Sequence, residues 1–425
     1  MLLFPPLVKG ALTLDVSAST PQLLRRTNLR SVLDVLRTVP SATGTDLIEA
    51  TGLTRATVIA VCDDLIARGW AREAPSPRLG GQKGRPARRF EFNESAGFVL
   101  GLDVGLATVR VVVSDLAGNV VGGTESRFPH HGGTPADRRS AVIAAAQAAL
   151  ADAGVSEQSV LGVALGIAAQ VTPEGTIAPG QELAPMFDLG LTQEFGNGFG
   201  WPVIVENDAK LAALAERWRG TGADESNLAV ILAGERLGTG VIESGRLVHG
   251  ALGRAGTMGG LELVEGVGNQ DGIAKLARLW GTAALDAGHE GMIRQLVGTH
   301  TNRVSARYVF EAAAAGDKTA AEILERIGKR MARVLALVST FFDPRLIVIG
   351  GAVAASATAL LPVMTDELAR YVPDPPRLAV SELGEMLVAT GAVRLALDHV
   401  EARLLDLRPG GGVPAGPAPV GDGPA

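Results

Sequence analysis

Apolar residues recur at helical spacing through the first seventy residues of the chain. Between Gln22 and Val39 they form one broad face, which predicts a helix that ends before Pro40. Two shorter apolar stripes follow between Thr45 and Trp70. Gly52 stands between these stripes, where a helix end favours a residue with positive φ, and Thr54 stands where an N-cap is favoured. The pattern predicts a helix, a short turn and a second helix.

The start of the second predicted helix carries small and polar side chains instead of large apolar ones. A helix-turn-helix places this end of its second helix against base edges in the DNA major groove. Four residues are therefore candidates for base contact: Thr54, Arg55, Ala56 and Thr57. The alternative interpretation is a helical hairpin that only packs against its neighbours.

After Trp70 the helical pattern gives way to a basic segment punctuated by Gly and Pro, which leads into the extended Arg89–Phe92. Three helices followed by a basic hairpin are typical of a winged helix. Basic side chains here could neutralise phosphates, and some could reach into a minor groove, where arginine is favoured. The candidate contacts in this wing are Arg78, Lys83, Gly84, Arg85, Pro86 and Arg88. The alternative is a solvated, flexible loop.

From Val99 the apolar pattern changes to short runs separated by glycine-rich turns. The segment from Val99 to Val121 predicts three strands, and a second segment from Leu228 to Val248 repeats the pattern. Two related hairpins of this kind predict a duplicated α/β fold with a cleft between two lobes. Glycine-rich turns also let backbone N–H groups approach a phosphate, although any tight hairpin favours glycine.

A further apolar strand begins at Pro202, ends in polar residues and leads into a helix. Ligands of α/β sheets bind at the carboxyl ends of strands, so Glu206, Asn207 and Asp208 are candidates for a ligand site. Asp208 could act as a general base towards a substrate hydroxyl, or it could cap the helix.

The remaining elements follow from the same patterns. We expect a helix near 138–151, a strand at 160–167, a loop-rich stretch at 168–200, a long amphipathic helix within 312–340 and a buried strand within 343–351.

The distribution of charge agrees with a DNA-binding N-terminus. The chain of 425 residues carries a net charge of −6 at pH 7, yet its first 95 residues contain 13 Lys and Arg against 9 Asp and Glu. Positive charge is therefore concentrated around the helical pair, as contacts with phosphates require. We expect a winged helix-turn-helix DNA-binding domain over residues 19–93, preceded by a loose N-terminus at 1–18.

The remaining composition excludes several classes of site. Cys62 is the only cysteine, so neither an intramolecular disulfide nor a thiolate-based zinc cluster can form within one chain. Its helical position among apolar residues predicts a small core residue. No apolar run approaches the roughly 18 residues that span a membrane, and we expect a cytoplasmic protein with no membrane partner. The Pro-, Gly- and Ala-rich residues 408–425 predict a disordered tail.

Short motifs spread between about Leu23 and Val400 form a joint pattern. They are Thr27-Asn28, Thr51-Gly-Leu-Thr-Arg-Ala-Thr-Val58, Gly84-Arg-Pro86, Asp103-Val-Gly105, Glu206-Asn-Asp-Ala209, Gly238-Thr-Gly240, Ala315-Gly-Asp317 and Asp343-Pro-Arg-Leu-Ile-Val-Ile-Gly-Gly351. With these motifs the chain resembles the ROK family (repressors, open reading frames and kinases), in its transcriptional-regulator branch. The resemblance implies a winged helix followed by a two-lobed actin-like ATPase (RNase H-like) core, usually dimeric. The lobes would be 97–220, with a closing helix at 387–405, and 221–386.

The departures from the family pattern lie in the parts that serve ATP, sugar and zinc in its kinases. Ala107 stands where the first phosphate loop has a threonine, and the second loop, Gly-Thr-Gly-x-Gly in the family, is Gly234-Glu-Arg-Leu-Gly238. The family's Ala-Gly-Glu-x-Gly-His element is Ala255-Gly-Thr-Met-Gly-Gly260, and residues 261–275 contain no cysteine. We therefore expect no metal and no cofactor. The vestigial phosphate loops would contain Asp103, Gly105, Gly234, Gly238 and Gly240.

The sequence thus favours a regulator that is not an enzyme, in which Asp208 is a vestigial base. We expect a homodimer, or a dimer of dimers, that represses transcription from a pseudo-palindromic double-stranded operator. A sugar-like small-molecule effector held near Glu206, Asn207 and Asp208 would change operator affinity by a population shift. One alternative is an ATP-dependent sugar kinase with an accessory DNA-binding domain. Another is a DNA-binding regulator that needs no ligand.

Overall fold

Two compact units make up the protein. One contains the residues before Ser95 together with Leu405–Pro409, and the other contains Ser95–Leu404. The computed structural model describes residues 21–75, 87–128, 134–298, 300 and 304–409. In these ranges no helix combines the length and the apolar character needed to cross a membrane.

Within its described residues, the N-terminal unit consists of three helices and a small antiparallel sheet. Its elements are α1 (Pro21–Thr38), β1 (Ala42–Thr43), α2 (Gly44–Thr51), α3 (Arg55–Ala67), β2 (Ala71–Ala74) and β3 (Arg89–Phe92). In the sheet, β3 lies between β1 and β2. The helices and the sheet bury large apolar side chains, among them Leu33, Leu47, Leu65, Trp70 and Phe90. The three helices and the strand at Arg89–Phe92 that the apolar pattern predicts are therefore confirmed.

Local capping explains where α2 and α3 begin and end. The Thr43 hydroxyl accepts a hydrogen bond from Asp46 N, and the Asp46 carboxylate accepts one from Thr43 N, which is a capping box. Gly52 ends α2 with φ of 69°, in the left-handed region that favours glycine. Thr54 Oγ1 accepts a hydrogen bond from Thr57 N at 3.3 Å and starts α3. The helix stop and the N-cap expected from the sequence are both confirmed.

The C-terminal unit contains a first five-stranded sheet of order β6-β5-β4-β7-β8. Its strands are β4 (Phe98–Val104), β5 (Thr108–Asp115), β6 (Val120–Arg127), β7 (Val160–Ile167) and β8 (Val203–Asn207). The helices in this part of the chain are α4 (Pro135–Ala153), α5 (Ala184–Phe187), α6 (Leu191–Phe199) and α7 (Asp208–Arg219). β4, β5 and β6 pair antiparallel, whereas β7 and β8 run parallel to β4.

A second five-stranded sheet repeats this arrangement with the order β11-β10-β9-β12-β13. Its strands are β9 (Leu228–Leu232), β10 (Gly238–Glu243), β11 (Arg246–Leu247), β12 (Leu346–Gly350) and β13 (Arg377–Val380). The helices that follow β11 and β12 are α8 (Ile273–Asp286), α9 (Met292–Val297), α10 (Ala306–Ala314), α11 (Lys318–Phe342), α12 (Ala354–Ala357) and α13 (Leu361–Leu368). Since both sheets have three antiparallel strands followed by two parallel ones, the duplication that the two hairpins predict is present.

The last helix, α14 (Leu387–Arg403), packs on β4, β7 and α7. Its buried face includes Leu387, Ala392 and Leu397. α14 thus returns the end of the C-terminal unit to the first sheet, as the resemblance implied for a closing helix at 387–405.

Two further predictions about elements of the C-terminal unit are confirmed. The long amphipathic helix expected within 312–340 is α11, which begins after a turn at Gly316 with φ of 88°, where Asp317 caps the helix by accepting a hydrogen bond from Ala320 N. The stretch 168–200 is loop-rich and also contains the short helices α5 and α6. In the N-terminal unit, Cys62 is a fully buried core residue as predicted, and burial raises the pKa of its thiol to about 12.

Candidate functional site

The first turn of α3 brings together the four residues predicted to contact bases. Thr54, Arg55 and Ala56 are exposed, and Thr57 is half-buried. The hydroxyls of Thr54 and Thr57 lie 2.9 Å apart. The opposite side of the same turn is anchored by Val58, which is fully buried. The turn therefore presents one arginine and several short side chains to the outside of the unit.

The other end of α3 is fixed by ion pairs that the sequence analysis did not anticipate. The Asp64 carboxylate accepts hydrogen bonds from Arg68 Nε and from Arg25 Nη2 of α1, both at 2.8 Å. Arg25 and Asp64 are 39 residues apart, so no local pattern marks the pair. The bond from Arg25 connects α3 with α1.

Arg88, predicted to contact phosphate, has its guanidinium between two carboxylates. Nη2 donates to Asp63 Oδ1 of α3 at 2.9 Å, and Nε donates to Glu73 Oε1 of β2 at 3.1 Å. The guanidinium also lies 4.9 Å from the ring centre of Phe90. Hydrogen bonds to the two carboxylates raise the pKa of Arg88. The other wing candidates lie outside the described residues: Arg78, Lys83, Gly84, Arg85 and Pro86.

In the C-terminal unit, the junction of β8 and α7 holds the candidate ligand residues. Asn207 is the N-cap of α7, since its Oδ1 accepts hydrogen bonds from Ala209 N and Lys210 N at 3.1 and 3.2 Å. Its Nδ2 donates to Ala169 O and to Asp208 Oδ1. The capping role considered for Asp208 therefore belongs to Asn207.

Glu206 is buried between a lysine and a histidine. Its carboxylate lies 2.9 Å from His249 Nε2 and 3.6 Å from Lys210 Nζ. Lys210 is also buried, and its Nζ donates to Gly253 O at 3.0 Å. Glu206 is thus held by neighbouring protein groups, while His249 remains half-exposed at the edge of the site.

Two half-buried carboxyl groups at this site have raised pKa values. Burial raises the pKa of Asp208 to about 7, and the charge of Asp103 adds to the rise. Burial also raises the pKa of Asp103 to about 6, although the charge of Arg110 opposes the increase. Near neutral pH each carboxyl is therefore partly protonated and can act as a donor or as an acceptor of hydrogen bonds. Both roles suit a ligand with hydroxyl groups.

Arg110 of β5 connects Asp103 with two other carboxylates. Its guanidinium lies 3.7 Å from Asp103 Oδ2, donates to Glu125 Oε2 at 3.1 Å and donates to Glu385 Oε2 at 2.7 Å. The sequence analysis missed Arg110. A charged residue inside the apolar run of β5 was the available signal.

A buried arginine binds the backbone of the turn at Gly105–Thr108, the counterpart of the first phosphate loop. Gly105 N donates to Thr108 O at 2.9 Å, which closes the turn after β4. Arg138 of α4 is fully buried and donates to Gly105 O and Leu106 O, each at 2.8 Å. Burial lowers the pKa of Arg138.

The counterpart of the second phosphate loop, Gly234–Gly238, is engaged by other parts of the protein. The Glu235 carboxylate accepts two hydrogen bonds from Arg278, at 2.6 and 2.8 Å. Leu237 N donates to Gln270 O at 2.8 Å. A backbone N–H that is already bonded to a carbonyl oxygen is less able to bind a phosphate.

The glycines after this loop have a packing role. Gly238 and Gly240 lie in β10 against α7, and a Cβ added at Gly240 would lie 2.0 Å from Ala209 O. The absence of a side chain at Gly240 therefore lets β10 approach the first turn of α7, next to Asp208.

Two further hydrogen bonds join the halves of the C-terminal unit. Arg236, which replaces a glycine of the family's second phosphate loop, donates to Glu182 Oε2 at 3.2 Å. Gln170 Nε2 donates to Leu252 O at 3.0 Å.

An arginine holds the backbone of residues 267–271, within the stretch where the resemblance would place zinc-binding cysteines. Arg330 of α11 is buried and donates to the carbonyl oxygens of Val267, Asn269 and Asp271. In the part of the chain that the structure describes, no three His, Cys, Asp or Glu side chains are grouped as metal ligands.

Comparisons with known proteins agree on one family. The sequence model of the ROK family matches residues 99–399. Over 357 residues the chain is 25% identical to the putative xylose repressor of Caldicellulosiruptor sp. (strain Rt8B.4), and the match covers 81% of this chain and 86% of that repressor.

Solved structures show the same mixed α/β fold. A ROK family transcriptional regulator, described as a homolog of the E. coli MLC protein, is 22% identical with a TM-score of 0.70, covering 89% of this chain and 98% of its own. A ROK family glucokinase from Streptomyces griseus, solved with glucose and AMPPNP, is 23% identical with a TM-score of 0.60, covering 71% of this chain and 100% of its own.

Proposed function

Because this chain belongs to the ROK family, we propose that it is a DNA-binding transcriptional repressor controlled by a small-molecule effector. The observation that carries the proposal is the exposed first turn of α3, in a unit that precedes the family match at residues 99–399. The likeness to the regulator covers 89% of the chain, against 71% for the glucokinase. The similarity to a putative xylose repressor supports the same function.

We assign residues 19–93 as a winged helix-turn-helix domain. In this assignment α3 is the recognition helix, whose N-terminal residues meet base edges while the first helices cross the backbone. Base contacts come from Thr54, Arg55, Ala56 and Thr57, and the wing residues that precede Arg88 add phosphate or minor-groove contacts. Two copies of the chain would place two recognition helices on a pseudo-palindromic operator in the cytoplasm.

The C-terminal unit is proposed as a two-lobed actin-like core without kinase activity. Its lobes are 97–220, with the closing helix, and 221–386. Phosphoryl transfer requires ATP and Mg²⁺ to be positioned by both phosphate loops. Here Ala107 replaces a threonine, Glu235 places a carboxylate in the second loop, and Leu237 N is bonded to Gln270. These features support a vestigial ATP site.

The effector would bind between the lobes, near Glu206, Asn207 and Asp208. Asp208 and Asp103 supply carboxyls whose pKa values are raised towards neutral pH, and such groups suit the hydroxyls of a sugar. A ligand that favours one arrangement of the lobes would shift the population competent for operator binding. If no small molecule changes either melting temperature or operator affinity, the ligand-independent alternative is correct.

One observation favours a sugar kinase as the second candidate. A carboxyl with a pKa of about 7 at Asp208 is matched to general-base catalysis at neutral pH. Transfer of phosphate from ATP to a hexose, abolished by Asp208→Asn, would support this candidate over the repressor.

The proposal is tested by selecting duplexes from a random-sequence pool with the purified full chain. We expect enrichment of two related half-sites separated by about one helical turn or a multiple of it. Failure to enrich any sequence, at low salt and with or without added sugars, would contradict the proposed function.

A further inference from the structure

The exposed face of α3 contains one acidic side chain. Ala56, Ala60, Asp63 and Ala67 recur at helical spacing, and all four are exposed. A surface that approaches DNA meets a dense row of phosphates. An unpaired carboxylate at Asp63 would therefore oppose binding.

The Arg88 guanidinium lies where it neutralises the Asp63 carboxylate. It donates from Nη2 to Asp63 and from Nε to Glu73, so one planar guanidinium bridges α3 and β2. The ring of Phe90 in β3 supports its other face. Only 33% of the Arg88 side chain is exposed, which is less than for either carboxylate partner.

Resting on the proposed function, we propose that Arg88 is a positioning residue that neutralises Asp63 and ties the recognition helix to the base of the wing. In this role it does not itself contact a phosphate. The inference replaces the role that the basic wing pattern predicted for Arg88, and it leaves phosphate contact to other side chains.

The two roles differ in their dependence on salt. Each phosphate contact contributes about 0.9 to the slope of log affinity against log salt concentration. An arginine that is paired with carboxylates instead of phosphates contributes nothing to this slope by counterion release. The double variant Arg88→Ala/Asp63→Ala therefore separates the roles, because it deletes the arginine without leaving the carboxylate of α3 unpaired. Glu73 of β2 loses Arg88 in this variant and in Arg88→Ala alike.

The experiment measures affinity for a duplex selected by the wild-type full chain, at several salt concentrations. For Arg88→Ala we expect binding about tenfold weaker, because Asp63 is then unpaired near the phosphates. For the double variant we expect affinity within about threefold of wild type and an unchanged slope. Arg68→Ala is the matched control, since it removes an arginine that pairs with the neighbouring carboxylate of α3, Asp64, which keeps Arg25 as a second partner. Thermal melting verifies that each variant is folded.

Two results would overturn the inference. One is a double variant that binds as weakly as Arg88→Ala, with a slope shallower by about 0.9 for each copy of the chain on the duplex, as loss of a phosphate contact requires. The other is a folded Arg88→Ala variant that binds like wild type. If the wild-type chain selects no duplex, the proposed function fails, and the inference fails with it.

Discussion

Replacement of Asp208 by asparagine should stabilise the C-terminal unit increasingly as the pH rises. The Asp208 carboxylate accepts hydrogen bonds from Ala209 N and Asn207 Nδ2 through a single oxygen, Oδ1. An asparagine oxygen can accept both bonds. Asp208→Asn therefore removes the half-buried charge while retaining the local hydrogen bonds that begin α7.

The magnitude follows from the difference in pKa between folded and unfolded chain. The folded pKa of Asp208 is about 7, compared with its ordinary value of 3.8. Between these values the folded state binds the proton and the unfolded state does not, so stability falls as the pH rises through this range. The loss reaches about 4 kcal/mol above pH 7, at about 1.4 kcal/mol per pH unit. Because the charge of Asp103 contributes to the raised pKa of Asp208, Asp103→Asn should reduce the loss of stability at high pH.

Urea unfolding at pH 5, 6, 7 and 8, followed by tryptophan fluorescence, measures the effect. We expect the gain of Asp208→Asn over wild type in free energy of unfolding to increase with pH and to level off near pH 8. Asp286→Asn is the control, because it makes the same substitution at an exposed position, the end of α8. A gain of Asp208→Asn that is equal at pH 5 and pH 8 would refute the reasoning.

Three further predictions test other parts of the protein. Arg55→Ala should weaken binding to the selected operator by about 1–3 kcal/mol, as expected for loss of a base contact. Titration of the duplex measures this loss of affinity, and an unchanged affinity would contradict the docking of α3. Arg85→Ala should weaken binding and make the salt slope shallower by about 0.9 per copy, whereas an unchanged slope would remove Arg85 from the phosphate contacts. Gly240→Ala should destabilise the C-terminal unit by about 1–3 kcal/mol because its Cβ would meet Ala209 O. Gly198→Ala in α6 is the control and should not destabilise it, because the space around its Cβ is open. Equal unfolding midpoints for the two variants would argue against tight packing at β10.

The features that the sequence predicted well are those set by neighbouring residues. Gly52 and Thr54 act on the backbone within a turn, so their pattern identifies the ends of α2 and α3. The two hairpins are marked by alternating apolar runs and glycine turns, and both form sheets with the same strand order.

The features that the sequence did not reveal depend on residues far apart in the chain. Arg138 bonds to carbonyl groups 32 and 33 residues away, and Arg330 bonds to others about 60 residues away. The raised pKa of Asp208 depends partly on Asp103, which lies on a different strand. Likewise, the basic pattern around Arg88 predicts a phosphate contact, whereas in the structure its guanidinium is bonded to Asp63 and Glu73. Such pairings follow from the fold and leave little trace in local spacing.

Genomic DNA capture with the purified full chain tests the central claim most directly, with an Arg55→Ala/Thr57→Ala variant in parallel. The repressor account predicts that the wild-type chain recovers a small set of segments that share paired half-sites, and that the variant loses them. Equal and unspecific recovery by both proteins would contradict the assignment of α3 as the recognition helix and the function that depends on it.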